Sequence, residues 1–250
     1  MYNFFVEENK KNNNRYYISE NDYNHIKNVL RMNIGDTFLV SNNGKSDLCS
    51  IEKFEENLVV AVVVEENYQT TELPVKIYLF QGLPKSDKME LIIQKTVELG
   101  VDTIVPVQMN RCVVKLEEKK IKAKTARWQA IAESAAKQSK RNFIPEIMDT
   151  VSYKQALKMC ENLDLILVPY ENADGMVKTK KLLNQLNNNK TVGIIIGPEG
   201  GFDESEIESA VSIGANSISL GKRILRTETA AITAVGMCML NIEMNEGIEE

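Results

Sequence analysis

The stretch Thr191-Val192-Gly193-Ile194-Ile195-Ile196-Gly197-Pro198-Glu199-Gly200-Gly201-Phe202-Asp203 decides the fold. Its apolar first half reads as a strand covered on both faces, because a strand with one wet face alternates apolar with polar residues. The glycines and the proline after it end the strand. Asp203, with Glu206 three residues on, has capping-box spacing and opens a helix that Gly214 closes. A buried strand, a glycine-bearing turn and a helix make one step of a parallel α/β sheet.

The same grammar extends on both sides. Further strands are expected at 75–80, 103–107, 163–168 and 217–220, and helices at 88–99, 119–139, 153–161, 204–213 and 228–240. Their alternation predicts a parallel α/β domain over residues 73–250. Asp87 with Glu90 repeats the capping-box spacing, and Gly100 closes that helix. Upstream the pattern differs. Short strands are expected at 1–6, 16–18, 37–40, 48–54 and 58–64, with one helix over 22–31 that Gly35 stops. Asn43-Gly44 supplies hairpin chemistry between two of these strands. Residues 1–72 therefore read as a small β-barrel domain with an inserted helix, and the polar stretch 65–73 before Pro74 as its linker.

Composition limits the functions available. A chain of 250 residues, 43% hydrophobic and 26% charged, holds one large or two modest domains and is not disordered as a whole. No apolar run approaches the roughly 18 residues of a membrane span, and Glu7 and Glu8 interrupt the opening stretch too early for a secretory leader, so a cytoplasmic location is expected. Cys49, Cys112, Cys160 and Cys238 are scattered and the single histidine is His25. A zinc cluster, a disulfide framework and a Ser-His-Asp hydrolase have little to build on, and no metal ligand is assigned. His25, inside the amphipathic segment, is read as structural.

The net charge of −5 resides in residues 1–72, with 7 basic against 12 acidic side chains. Within the balanced remainder, residues 111–141 hold ten basic groups, including Arg111, Arg127, Lys137, Lys140 and Arg141, against three acidic ones. Such a segment is either a solvated helix face or a surface for a polyanion.

Three loops leave the carboxyl ends of expected strands, where open α/β sheets place ligands. They are Pro169-Tyr170-Glu171, the 197–202 loop, and Gly221-Lys222-Arg223-Ile224-Leu225-Arg226-Thr227-Glu228-Thr229. Neither G-x-x-x-x-G-K-[ST] nor G-x-G-x-x-G is present, and Glu199 is ill placed for a phosphate, so a neutral polar or positively charged ligand fits better than a nucleotide phosphate. Arg226 at a helix start needs an anionic partner: Glu228, an RNA phosphate, or negative charge developing on a substrate.

The run from Ile196 to Phe202, with Leu220 to Ala230, resembles the paired signature of the 16S ribosomal RNA uridine N3-methyltransferases of the SPOUT superfamily. Further agreement comes from Gln81-Gly82-Leu83-Pro84-Lys85 with Lys88-Met89-Glu90, from Glu98-Leu99-Gly100-Val101, from Arg127-Trp128 with Glu133, Ala135, Gln138 and Ser139, and from His25 to Arg31 with Gly35-Asp36. The resemblance implies a PUA-like barrel, an α/β domain threaded as a trefoil knot, a homodimer, and S-adenosyl-L-methionine bound among the three loops. The implied cofactor residues are Pro169, Tyr170, Ile196, Gly197, Pro198, Glu199, Gly200, Leu220, Gly221, Ile224, Leu225, Thr229 and Ala230. It further implies methyl transfer to N3 of a uridine in 16S rRNA. Uracil N3 is a poor nucleophile until it loses its proton, which assigns anion stabilisation to Arg226 and offers Glu228, Glu98 or bulk water as the proton acceptor. RNA contacts are expected from Arg31, Lys85, Arg111, Arg127, Lys137, Lys140 and Arg141. Two alternatives stand beside this reading: a ribose 2′-O-methyltransferase on the same fold, and a noncatalytic ribosome-assembly factor.

Overall fold

In the computed structural model, residues 1–42, 44–114, 117–171 and 175–245 are described. The amino-terminal elements in chain order are β1 (Asn3–Phe5), β2 (Lys11–Asn12), β3 (Arg15–Ser19), α1 (Glu20–Asn24), β4 (Thr37–Asn42), β5 (Lys45–Glu55) and β6 (Leu58–Glu65). Their sheet runs β1-β4-β5-β6-β3-β2, with β1 and β4 parallel and the other pairs antiparallel. β1 and β2 stand at its two ends, so the expected barrel is a curled, open sheet. Two register shifts in β5, between Leu48 and Cys49 and between Ile51 and Lys53, supply local bends. Phe4, Tyr16, Ile18, Ile26, Phe38, Val40, Ile51 and Val59 fill the concave side. Within β3 the alternation is plain, with Tyr16 and Ile18 buried between partly exposed neighbours.

α1 continues into a wide π-helical turn over His25–Val29. Arg31, with a φ of 53°, stops it, and Gly35, with a φ of 92°, serves the turn before β4 instead. His25 packs edge-on against Phe4, ring centroids 5.9 Å apart, in keeping with a structural role. β4 and β5 pair through Asn42 and Lys45, so they form the expected hairpin, although Asn43 lies outside the described residues.

The second set of elements is β7 (Lys76–Gly82), α2 (Lys88–Glu98), β8 (Thr103–Gln108), α3 (Glu118–Ser139), β9 (Glu146–Ile147), β10 (Val151–Ser152), α4 (Tyr153–Cys160), β11 (Leu165–Pro169), α5 (Gly175–Leu183), β12 (Thr191–Ile196), α6 (Glu204–Ser212), β13 (Asn216–Ile218) and α7 (Thr227–Met244). The sheet order is β10-β8-β7-β12-β11-β13, β9 adding to β8, and every pair is parallel. Ile194, Ile195 and Ile196 of β12 are all buried, as a strand with helices over both faces requires. Packing divides the chain into two units, Met1–Glu72 with Ala136–Ile144, and Leu73–Ala135 with Pro145–Glu250.

Helix ends mostly follow the sequence. Asp203 and Glu206 form the capping box that opens α6, and Gly100 and Gly214 adopt φ values near 90° after α2 and α6. Asp87 makes no capping hydrogen bond with its side chain, and Glu90 pairs instead with Arg127 at 2.8 Å. α5 and the short strands β9 and β10 were not expected from the sequence. None of the described helices is long and apolar enough to cross a membrane.

Candidate functional site

β12, β11 and β13 are neighbours in the sheet, so the loops leaving their carboxyl ends converge. Together they line a cavity of about 480 Å³, with Pro169 to Glu171 on one side, Ile196 to Phe202 on another, and Ser219 to Gly221 with Arg223 to Thr227 and Ala230 on the third. This is the size of a small-molecule pocket, and its walls combine apolar side chains with main-chain groups. Of the residues implied for the cofactor, all but Thr229 line it. Thr229 points from the exposed side of α7. Ile224 lines the rim and is 85% exposed, so the apolar wall of the cavity is made by Ile196, Leu220, Leu225 and Ala230.

The loop after β12 is a tight turn in which the Gly201 amide donates to the Pro198 carbonyl at 2.9 Å. Two glycines permit close packing there. A Cβ on Gly200 would stand 2.9 Å from Cβ of Arg111, and one on Gly82, at the end of β7, would stand 2.7 Å from the Pro198 nitrogen. The loop's base is fixed from below by a buried relay: Gln81 Nε2 donates to Thr227 Oγ1 at 2.9 Å, and Thr227 Oγ1 donates to the Gly197 carbonyl. The first loop is held by the Tyr170 amide donating to the Ile218 carbonyl at 3.0 Å, and Tyr170 meets Phe202 edge to face. Thr179 of α5 holds the third loop. Its hydroxyl donates to the Ser219 carbonyl and accepts from the Ser219 amide, both at 3.0 Å.

The electrostatics centre on Lys88, the first residue of α2. Its Nζ lies 3.1 Å from Glu199 and 3.3 Å from Glu228. The hydrogen bond to Glu199, with a further one to Glu228, lifts the Lys88 pKa above its ordinary value against the opposing effect of burial. Burial pushes the Glu199 carboxyl upward, but the Lys85 amide and the Lys88 ammonium outweigh it and hold its pKa low. Glu228 therefore partners Lys88 and not Arg226. The Arg226 guanidinium is exposed at the cavity and has no ion-pair partner among the described residues.

Several expected residues fall elsewhere. Glu98 does not line the cavity, and its carboxylate accepts from Lys95 Nζ at 2.9 and 3.0 Å. Glu228 is also absent from the cavity lining and is paired with Lys88, so neither carboxylate stands at the cavity as a base would. Arg141 is buried, with a bidentate pair to Glu72 and its guanidinium 4.8 Å above the Phe143 ring, which removes it from any RNA surface. Lys137 is half-buried and paired with Asp22 at 3.4 Å. Arg111 turns to the Gly200 carbonyl and to Asp203, bracing the loop after β12. Arg31 and Lys85 are exposed, Arg127 is exposed but paired with Glu90, Lys140 is partly exposed, and Lys115 of the basic segment lies outside the described residues.

Sequence reasoning passed over Lys88, Thr227, Thr179 and Gln81 as site residues. Gln81 carried a usable signal, a polar side chain inside an otherwise apolar strand, which in a folded core demands a partner.

Comparison with known proteins places this geometry. The RNA methyltransferase domain family matches residues 71–239, and the RNA methyltransferase PUA domain family matches residues 18–64. A Bacillus subtilis protein named ribosomal RNA small subunit methyltransferase E is 38% identical over 93% of this chain and 92% of its own. Its namesake from Mesomycoplasma hyopneumoniae is 37% identical over 96% and 99%. The crystal structure of the Neisseria gonorrhoeae ribosomal RNA small subunit methyltransferase E, bound to S-adenosyl methionine, superposes with a TM-score of 0.79 at 32% identity, covering 94% of this chain and 95% of that one. With two family matches in sequence order and relatives aligned along nearly their whole length, the chain belongs to the ribosomal RNA small subunit methyltransferase E family.

Proposed function

We propose that this protein transfers a methyl group from S-adenosyl-L-methionine to N3 of a uridine in the 16S RNA of the small ribosomal subunit. The convergence of three loops on one cavity carries the proposal. The cavity suits this donor. Main-chain groups at Gly197, Gly200, Leu220 and Leu225 are available for adenine and ribose hydroxyls, Ile196, Leu225 and Ala230 offer apolar area, and nothing in the lining forms a phosphate cradle. The cofactor supplies a methyl group on a positively charged sulfur.

The residues do the rest by position and charge. The relay from Gln81 through Thr227 to Gly197 keeps the loop after β12 in one geometry, and direct displacement at carbon rewards such alignment. Arg226, without an ion-pair partner among the described residues, lowers the cost of negative charge on uracil as its N3 proton departs to solvent. Neither Glu98 nor Glu228 is needed as the acceptor.

RNA binding falls to the curled sheet with exposed Arg31, to Lys85, and to the exposed lysines 119, 122 and 124 on α3, since RNA is recognised by shape and by splayed-out bases. The target uracil leaves its stack to reach the cavity. A homodimer belongs to the same proposal. α7 is apolar all round and buries one face through Ala231, Ala234, Val235, Cys238 and Ile242, leaving Leu240 and Met244 exposed, the composition of a helix covered on both sides. The trefoil threading of the carboxyl-terminal strands and a cytoplasmic location complete it.

The test is nucleoside mass spectrometry of small-subunit RNA after incubation with the protein and S-adenosyl-L-methionine. N3-methyluridine is the expected product; a ribose methyl, or no methyl at all, overturns the proposal.

A further inference from the structure

Lys88 occupies the first position of α2, where a positive charge opposes the helix dipole and needs compensation. Two carboxylates supply it, Glu199 from the loop after β12 and Glu228 from the first turn of α7. The three side chains are only 30%, 23% and 14% exposed, and Glu228 Oε2 is buried with no hydrogen bond beyond this ion pair. Two carboxylates around one ammonium leave a single negative charge in excess. Lys88 and Glu199 line the cavity, so that excess faces whatever fills it. The other charged groups of the lining, Glu171, Arg223 and Arg226, are exposed, and solvent and salt screen them far more strongly.

We infer that the Glu199–Lys88–Glu228 cluster is a charge discriminator, which holds a cationic sulfonium donor and releases the neutral thioether left after methyl transfer. The inference rests on the reading of the cavity as the donor site. The two ligands are nearly identical in shape, so contacts to adenine and ribose cannot tell them apart. They differ by a methyl group and one unit of charge, and a half-buried negative excess acts on that charge. Lys88 is the positioning residue. It draws one carboxylate from each of two elements to within 3.3 Å of a single ammonium and offsets one of their two charges.

Calorimetric titration of the purified protein with S-adenosylmethionine and, separately, with S-adenosylhomocysteine tests this. Glu228→Gln keeps shape and removes the excess charge, and it is expected to lower the ratio of donor to product affinity about tenfold, mainly through the donor. Glu199→Gln is expected to do the same from a more accessible loop position and serves if the first variant fails to fold. Lys88→Arg is expected to keep the ratio. A ratio unchanged in both glutamine variants, or donor and product affinities that fall in parallel, overturns the discriminator and leaves the cavity's assignment standing. Failure of the unaltered protein to bind either ligand overturns the assignment itself.

Discussion

Thr227 and Gly197 are joined by a 2.7 Å hydrogen bond that ties the first turn of α7 to the carbonyl at the end of β12. The same hydroxyl accepts from Gln81 Nε2, so one side chain of middling size connects a central strand, the glycine-bearing turn and the last helix. Thr227→Val removes both bonds while keeping volume, and leaves the Gly197 carbonyl and one N–H of the Gln81 amide without the hydroxyl, the other N–H staying on the Gly82 carbonyl. The cost of two such orphaned groups is on the order of 1–3 kcal/mol each, so affinity for S-adenosylmethionine should fall at least about tenfold. Thr227→Ser should retain most of it. Calorimetry on the two variants distinguishes them, and equal affinity in both removes the relay from the site.

Arg226 is exposed at the cavity with no ion-pair partner among the described residues, and the proposed function has it act on charge that appears only during reaction. Arg226→Ala should lower the single-turnover rate about 100-fold or more while changing cofactor affinity less than threefold. Parallel losses in rate and affinity place the guanidinium in cofactor binding instead.

The ion pair of Arg141 with Glu72 is buried inside the amino-terminal unit, where the Arg141 carbonyl also accepts from Asn3 Nδ2 at 2.9 Å. Arg141→Ala leaves the partly buried Glu72 carboxylate on the Asn142 amide with its charge no longer balanced by the guanidinium, at a cost of up to about 3 kcal/mol. A lower unfolding temperature is expected for this variant. Weakened RNA binding at unchanged stability contradicts the structural assignment.

With Arg141 and Lys137 committed to internal partners, the exposed lysines of α3 carry the polyanion hypothesis. Changing Lys119, Lys122 and Lys124 together to Ala should weaken RNA binding and flatten its dependence on salt by about two to three counterions. Filter binding at several salt concentrations measures the slope. An unchanged slope reduces this face to a solvated one.

Asp47 is buried and accepts from Lys11 Nζ at 2.9 Å, from the Tyr16 hydroxyl at 2.8 Å and from the Asn67 amide at 3.0 Å. Burial pushes its carboxyl upward, but these donors together hold its pKa below the ordinary carboxylate value. A carboxylate depressed on folding contributes stability that is complete above its ordinary pKa of about 3.9 and lost as pH falls through the folded value. The unaltered protein should therefore lose more stability between pH 7 and pH 3 than Asp47→Asn does. Denaturant titrations at the two pH values compare them, and equal losses show that Asp47 does not couple folding to acid.

The strand-and-helix grammar was readable because burial on both faces demands continuous apolar runs, and β7, β8, β11 and β12 contain little else. The second capping box and the two closing glycines were readable because a helix end is satisfied by residues within a few positions in sequence. The first capping box failed for a tertiary reason: Arg127, 37 positions away, offers Glu90 a charged partner that outweighs a local cap. α5 went unseen because its short, lysine-bearing sequence declares no apolar face, and its contribution lies in one hydroxyl, that of Thr179.

Sequence by itself determined the family, the parallel sheet and the three loops that line the cavity, because each of these is encoded in contiguous runs. Only the tertiary structure decided which charges are available. Arg141, Lys137 and Glu98 look like their neighbours in sequence, yet each is consumed by a partner, while Arg226 has no ion-pair partner among the described residues and Lys88 gathers two carboxylates. Ion pairing acts through space over a few ångströms, and the chain brings such groups together from positions that sequence spacing does not relate.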